Sequence, residues 1–406
     1  VRDILLNVLL TGAASVNAYA ERRRYTPPAL PVGIRTKLGR HAARAGTMIV
    51  VLALYVLSMP RHLPVQAEAA LASSFRFQPL ELFPASNGHA FRNVRDVHPA
   101  LRHIDAWISS VGASVAFADI YGLGRPADIC LVDPRNDSVT VMPAPGTGAR
   151  YAPFALPLPL EDFDVRTIAP MGCLPGDINE DGKVDLVIYY WGRPPLAFLQ
   201  TGNDRLSADQ FEAVELVEER ERWFTNAGLL ADVDGDGHAD LIFGNYFRDG
   251  EHILDGSVAD TMACIQGLTR VKRNFDSCSG TLWKRATMQH SMSRASNGGT
   301  NRLLLWQSAA AHSVAFRETR NAFDPEMANG WTLALGAADL TGDLLPELYV
   351  ANDFGPDRLL LNKSTPGHPA FAVVEGRRGI ATPRSKVLGR DSFKGMGVDF
   401  GDIERD

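Results

Sequence analysis

Cysteine is scarce in this chain: four among 406 residues, Cys130, Cys173, Cys264 and Cys278, with no CxxC pair. That spacing leaves no zinc ribbon and no thioredoxin-like redox motif to consider. A basic excess is also missing, since 41 Lys and Arg face 47 Asp and Glu for a net charge of −6. Without surplus cations to displace phosphate counterions, a general nucleic-acid binder is excluded. Long apolar runs are lacking as well. The best, Thr47 to Met59, falls short of the roughly 20 residues that span a bilayer. No GxSxG, HExxH, P-loop or dinucleotide fingerprint occurs, so no catalytic residue is assigned.

What is present begins with an asymmetric N-terminus. Arg22, Arg23, Arg24, Arg35, Lys37, Arg40 and Arg44 precede the apolar run, and no acidic residue falls between Tyr25 and Gln66. A basic region followed by a short apolar one has the pattern of a secretory signal or signal-anchor, and Ala67-Glu-Ala69 offers a cleavage site. The expected division is a basic segment over 1–44, an apolar segment over 45–60, a linker over 61–84 and the main domain over 85–406. The bulk of the chain is then secreted or faces outward from the cell envelope, tied to a membrane where the segment stays uncleaved. Val1 opens the chain and Asp402-Ile-Glu404-Arg-Asp406 closes it in half of an acidic loop, the expectation being a fragment. Export permits disulfides. Cys264 with Cys278, closing a short loop, is the first choice, and Cys130 with Cys173 the second.

Internal repetition decides the fold class. Four segments share one frame: Ala118 to Asp128, Gly176 to Asp185, Ala231 to Asp240 and Ala338 to Glu347, each followed by an apolar run. Their first acids stand at 119, 177, 232 and 339, with a fifth at 402, spaced by 58, 55, 107 and 63 residues. The double interval is read as an insertion over 248–300 within the third repeat. An apolar lead-in, an acidic Gly-containing turn and a β-rich run spell strand, turn, strand. A unit of this size holding several short strands is that of a propeller blade. The expectation is therefore all-β, a β-propeller with an N-terminal signal or anchor segment. The best helical signal lies in Ala213 to Trp223, whose charges mark a solvated face.

Calcium needs six to eight oxygens from a turn that can fold around it. In the third repeat Asp232, Asp234, Asp236 and Asp240 supply carboxylates at positions 1, 3, 5 and 9, His238 a backbone carbonyl, and Gly237 the sharp turn. The second repeat offers Asp177, Asn179, Asp181 and Asp185, with Lys183 through its carbonyl. The fourth keeps Asp339, Thr341, Asp343, Glu347 and the Leu345 carbonyl, but Leu344 stands where glycine is wanted. In the first repeat Tyr121 and Leu123 occupy ligand positions and the distal acid comes one residue late, so that loop is expected to be metal-free. Four carboxylates in one turn repel unless a cation neutralises them. An EF-hand would place a glutamate at position 12, where Ile188, Phe243 and Val350 stand instead.

These loops resemble the FG-GAP/VCBS repeats of integrin-α-type propellers. Val350 to Asn362 and Ser392 to Asp402 are similar to the CRTAC1-like proteins that carry an ASPIC/UnbV domain after the propeller, a resemblance covering about residues 85–406. It implies seven blades with Ca2+ in hairpin loops on one face. The insertion, with Arg270, Lys272, Arg273, Lys284 and Arg285, reads either as a cap for an anionic partner or as a solvated, stapled loop. Met288, His290 and Met292 could ligate copper; His98, His103 and His290 read as structural. Functionally, a binding or adhesion module for a protein or glycan ligand comes first. A carbohydrate-active lyase or hydrolase on a propeller scaffold, or an envelope assembly scaffold, is the alternative.

Overall fold

The computed structural model describes residues 35–58, 64–75, 77–110, 114–157, 166–202, 206–218, 221–255, 291, 294–380, 382–390 and 395–402. The chain divides into two compact units, one over Val1–Leu80 with Gly379–Pro383, the other over Glu81–Arg378 with Arg384–Asp406. In the first unit two helices run over Arg35–Ser58 and Val65–Ser73. Among the described residues no helix is long and apolar enough to cross a membrane.

The second unit is built of antiparallel strands. Four sheets of four strands each follow one another along the chain. The first holds β1 (Ser114–Ala118), β2 (Asp128–Asp133), β3 (Ser138–Pro143) and β4 (Phe154–Ala155); the second, β5 (Ala169–Gly176), β6 (Asp185–Trp191), β7 (Leu196–Gln200) and β8 (Phe211–Glu215). The third holds β9 (Thr225–Ala231), β10 (Asp240–Asn245), β11 (Arg302–Ala310) and β12 (Ser313–Glu318); the fourth, β13 (Thr332–Ala338), β14 (Glu347–Asn352), β15 (Arg358–Asn362) and β16 (Phe371–Val374). Every sheet is a simple meander, and the first strands β1, β5, β9 and β13 pack in succession.

Stacking explains why the second strands read as unbroken apolar runs rather than alternating ones. A strand buried on both faces must be apolar at every position. Along β6, Leu186, Ile188 and Tyr190 join the core shared with Cys130, Val132 and Val141 of the first sheet. Val187, Tyr189 and Trp191 face the other way, into the core shared with Leu241, Phe243 and Leu304 of the third. Ile242, Leu303 and Leu305 then meet Leu348, Val350 and Leu360 of the fourth. Sheet-to-sheet approach is close where the first strands meet: a Cβ at Gly228 on β9 would stand 2.7 Å from Leu174 of β5. Beyond β13, the side chains of Phe400 and Val398 would meet a Cβ at Gly336 at 2.9 and 3.1 Å.

Two expectations need amendment. Among the described residues of Ala213 to Trp223 no helix forms: β8 covers Phe211–Glu215, because Phe211 turns into the core while Glu212 and Glu215 face out. The apolar runs Asn301–Trp306 and Asp357–Asn362, expected from the repeat pattern to close the third and fourth units, instead contribute third strands of four. A disulfide joins Cys130 to Cys173, the second-choice pair, linking β2 to β5 across two sheets with Cα atoms 6.4 Å apart. Cys264, Cys278, Arg270, Lys272, Arg273, Lys284, Arg285, Met288, His290 and Met292 lie outside the described residues. What is described places the start of that long connection at Tyr246, after β10, and its end before β11.

Candidate metal centre

Each acidic loop connects the first and second strands of its sheet, and the last ladder pair brings the distal acid opposite the end of the first strand. The pairs are Ala118 with Asp128, Gly176 with Asp185, Ala231 with Asp240 and Ala338 with Glu347. The distal acid is buried in all four. One of its oxygens accepts an N–H seven residues back: Tyr121 to Asp128 at 2.9 Å, Ile178 to Asp185 at 3.1 Å, Val233 to Asp240 at 3.0 Å and Leu340 to Glu347 at 2.8 Å. The extra residue of the first loop is therefore absorbed before Tyr121, and the clamp survives. In the other three loops the second oxygen accepts an N–H from the third strand: Gln200 at 2.8 Å, Trp306 at 3.0 Å and Asn362 at 3.3 Å. Sequence reasoning treated these acids as ligands only; their second duty is to tie the loop to the sheet.

The first acid of each loop organises the turn. Asp232 Oδ1 accepts from Gly235 and Asp236 at 2.7 and 3.2 Å, and its Oδ2 from Gly237 at 2.9 Å. Asp177 does the same for Asp181 and Gly182, and Asp339 for Gly342 and Leu344. The turn requires a left-handed residue at position 6, where φ is 85° at Gly182, 91° at Gly237 and 71° at Leu344. Leucine thus adopts the glycine conformation, and the fourth loop keeps its shape.

Convergence is tightest in the third loop. Carboxylate oxygens of Asp232, Asp234 and Asp240 lie within 4.8 Å of one another, an arrangement that could hold a metal ion. Asp236 is outside that trio; its Oδ1 accepts the His238 N–H at 2.9 Å. Among the described residues the second loop forms no such group of three, and there the Lys183 ammonium sits 2.9 Å from Asp181 Oδ2. Asn179 turns its amide toward the Ala311 carbonyl at 3.5 Å. In the fourth loop Asp343 Oδ1 accepts the Leu345 N–H at 3.0 Å, while Thr341 is exposed.

Charge distinguishes the loops. In the first, the Arg150 guanidinium pairs with Asp128, and Tyr151 donates its hydroxyl to the same oxygen at 2.8 Å. Arg150 also lies over the Tyr121 ring, 5.6 Å from its centroid. Where Tyr121 and Leu123 replace the middle ligands of the loop, a side chain supplies the cation. Among the described residues no Lys, Arg or His pairs with Asp232, Asp234 or Asp240. Burial pushes the Asp240 carboxyl up to about 7 and that of Asp185 up to about 6, so keeping either ionised calls for a nearby positive charge. The donor set is all oxygen, which suits a hard cation such as calcium, and Asp232 Oδ2 and both oxygens of Asp234 and of Asp240 each keep a lone pair after a single N–H bond.

Elsewhere, a cavity of about 350 Å³ opens among Arg95, Arg102, Arg166, Asp96, Asp105 and Asp255. Its charges balance, and Arg95 is already committed to Asp137 at 2.7 Å. His98 is buried, consistent with a structural role.

No protein-family model and no curated protein matches the chain. Among solved structures it is similar to an α-L-arabinofuranosidase from Clostridium thermocellum, with a TM-score of 0.27 and 9% identity over 65% of this chain and 72% of that one. It is also similar to a rhamnogalacturonan lyase from Bacillus licheniformis, with a TM-score of 0.24 and 15% identity over 61% of this chain and 40% of the lyase. Likenesses this slight leave the chemistry to be argued from the residues themselves.

Proposed function

We propose that this chain is an extracytoplasmic, calcium-stabilised β-propeller of the FG-GAP/VCBS kind, serving as a binding or adhesion module for a protein or glycan. The carrying observation is the contrast between loops: Asp128 has its own arginine, whereas Asp232, Asp234 and Asp240 converge with no Lys, Arg or His in salt-bridge contact among the described residues. Ca2+ would be held by Asp232, Asp234 and Asp240 with the His238 carbonyl, and in weaker form by Asp177, Asn179, Asp181 and Asp185, and by Asp339, Thr341, Asp343 and Glu347. The ion supplies positive charge beside the buried Asp185 and Asp240 carboxylates, which burial alone would push toward the neutral form. Its work is architectural, and no bond of a substrate is broken by it.

The propeller reading is supported by four successive meanders whose first strands pack together and whose middle strands are apolar on both faces. Outward-facing localisation is supported by the basic-then-apolar N-terminus and by a disulfide in the core. Thermal melting tests the calcium reading. Restoring millimolar calcium after chelation should raise the Tm by about 5–10 °C, the scale expected when a ligand binds only the folded chain. An unchanged Tm would remove the reading.

A further inference from the structure

We infer that Trp306 couples the second and third acidic loops, so that a cation bound in one tightens the other; this rests on the calcium reading above. Trp306 lies on β11 but touches both loops. Its backbone N–H donates to Asp240 Oδ1 at 3.0 Å. Its ring stacks on His238, with centroids 3.8 Å apart and planes 6° from parallel. Its indole N–H donates to the Ile178 carbonyl at 3.1 Å, between Asp177 and Asn179 of the preceding loop. Glu180 of that loop then contacts the His238 ring through Nδ1, closing a circuit of four residues.

The same wiring recurs one sheet further on. Asn362 donates its N–H to Glu347 and its side-chain amide to the Val233 carbonyl at 2.9 Å. Leu345 lies against Gly235, where a Cβ would stand 3.0 Å from its Cδ2. In both cases one third-strand residue grips its own loop's distal acid and the second residue of the previous loop. A cation that orders the second loop fixes the Ile178 carbonyl, which fixes the indole, which holds His238 and Asp240 in place for the third. By thermodynamic reciprocity the third loop must help the second equally.

The test uses the full chain carrying Asp339→Ala, which silences the fourth loop. Calorimetric calcium titrations are compared for that chain, for its Asp177→Ala derivative and for its Asp234→Ala derivative. Asp177→Asn and Asp234→Asn serve where an alanine chain fails to fold. The two-loop chain should bind its pair of ions about tenfold more tightly than the two single-loop affinities multiplied together. With Trp306→Phe, which keeps a stacking ring but loses the indole donor, that coupling factor should fall to within twofold of one. A factor already within twofold of one in the Trp306 chain overturns the coupling while leaving calcium binding intact. A factor that persists in the Trp306→Phe chain overturns the role of Trp306. Chains that take up no calcium at all overturn the calcium reading and the coupling with it.

Discussion

Asp128, Asp185, Asp240 and Glu347 each turn one carboxylate oxygen onto an N–H seven residues back, and what each does with its charge depends on one neighbour. At Asp128 the neighbour is Arg150, whose side chain is 11% exposed against 0% for the carboxylate. Removing one partner of so buried a pair strands the other charge. Arg150→Ala should therefore cost about 3–5 kcal/mol in a urea titration, with or without calcium, and adding Asp128→Asn should recover more than half. A loss under about 1 kcal/mol would show that the guanidinium is not the cation of the first loop. Tyr121 and Leu123 at ligand positions signalled in sequence that this loop differs. Arg150 did not, because it stands 22 residues away from its partner and only the fold brings them together.

At the scale of the element, the acidic turns were legible because glycine, asparagine and aspartate at fixed offsets describe a turn with a mechanism. Leu344 looked like a defect in the pattern. The backbone shows instead a left-handed residue at φ 71°, 89% exposed, so the turn is intact and strained. Leu344→Gly gives up no buried surface and relieves that conformation. It should raise stability by about 1 kcal/mol in chemical denaturation. A lower midpoint would mean that the leucine makes a contact absent from this account. The β8 edge strand was misread for a physical reason. Glu-rich stretches have helical propensity, and the pairing of Phe211 through Glu215 with β7 is a long-range fact that overrides it.

For the whole molecule, the four acidic loops were legible in the sequence, since one supersecondary unit recurs along the chain. Disulfide choice was less legible. The bond between Cys130 and Cys173 depends on two sheets stacking face to face, which sequence proximity does not reveal, while Cys264 and Cys278 lie outside the described residues. Because that bond ties sheets 43 residues apart in sequence, reduction should lower stability by about 2–4 kcal/mol. A denaturation midpoint indifferent to dithiothreitol would contradict it. The central claim concerns a smaller object, the trio Asp232, Asp234 and Asp240. Calcium bound per chain, measured by calorimetry for the wild type and for a folded Asp234→Ala variant, tests it directly. The account predicts uptake by the wild type and one ion fewer in the variant. A wild type that binds none, or a variant with the same count, would contradict it.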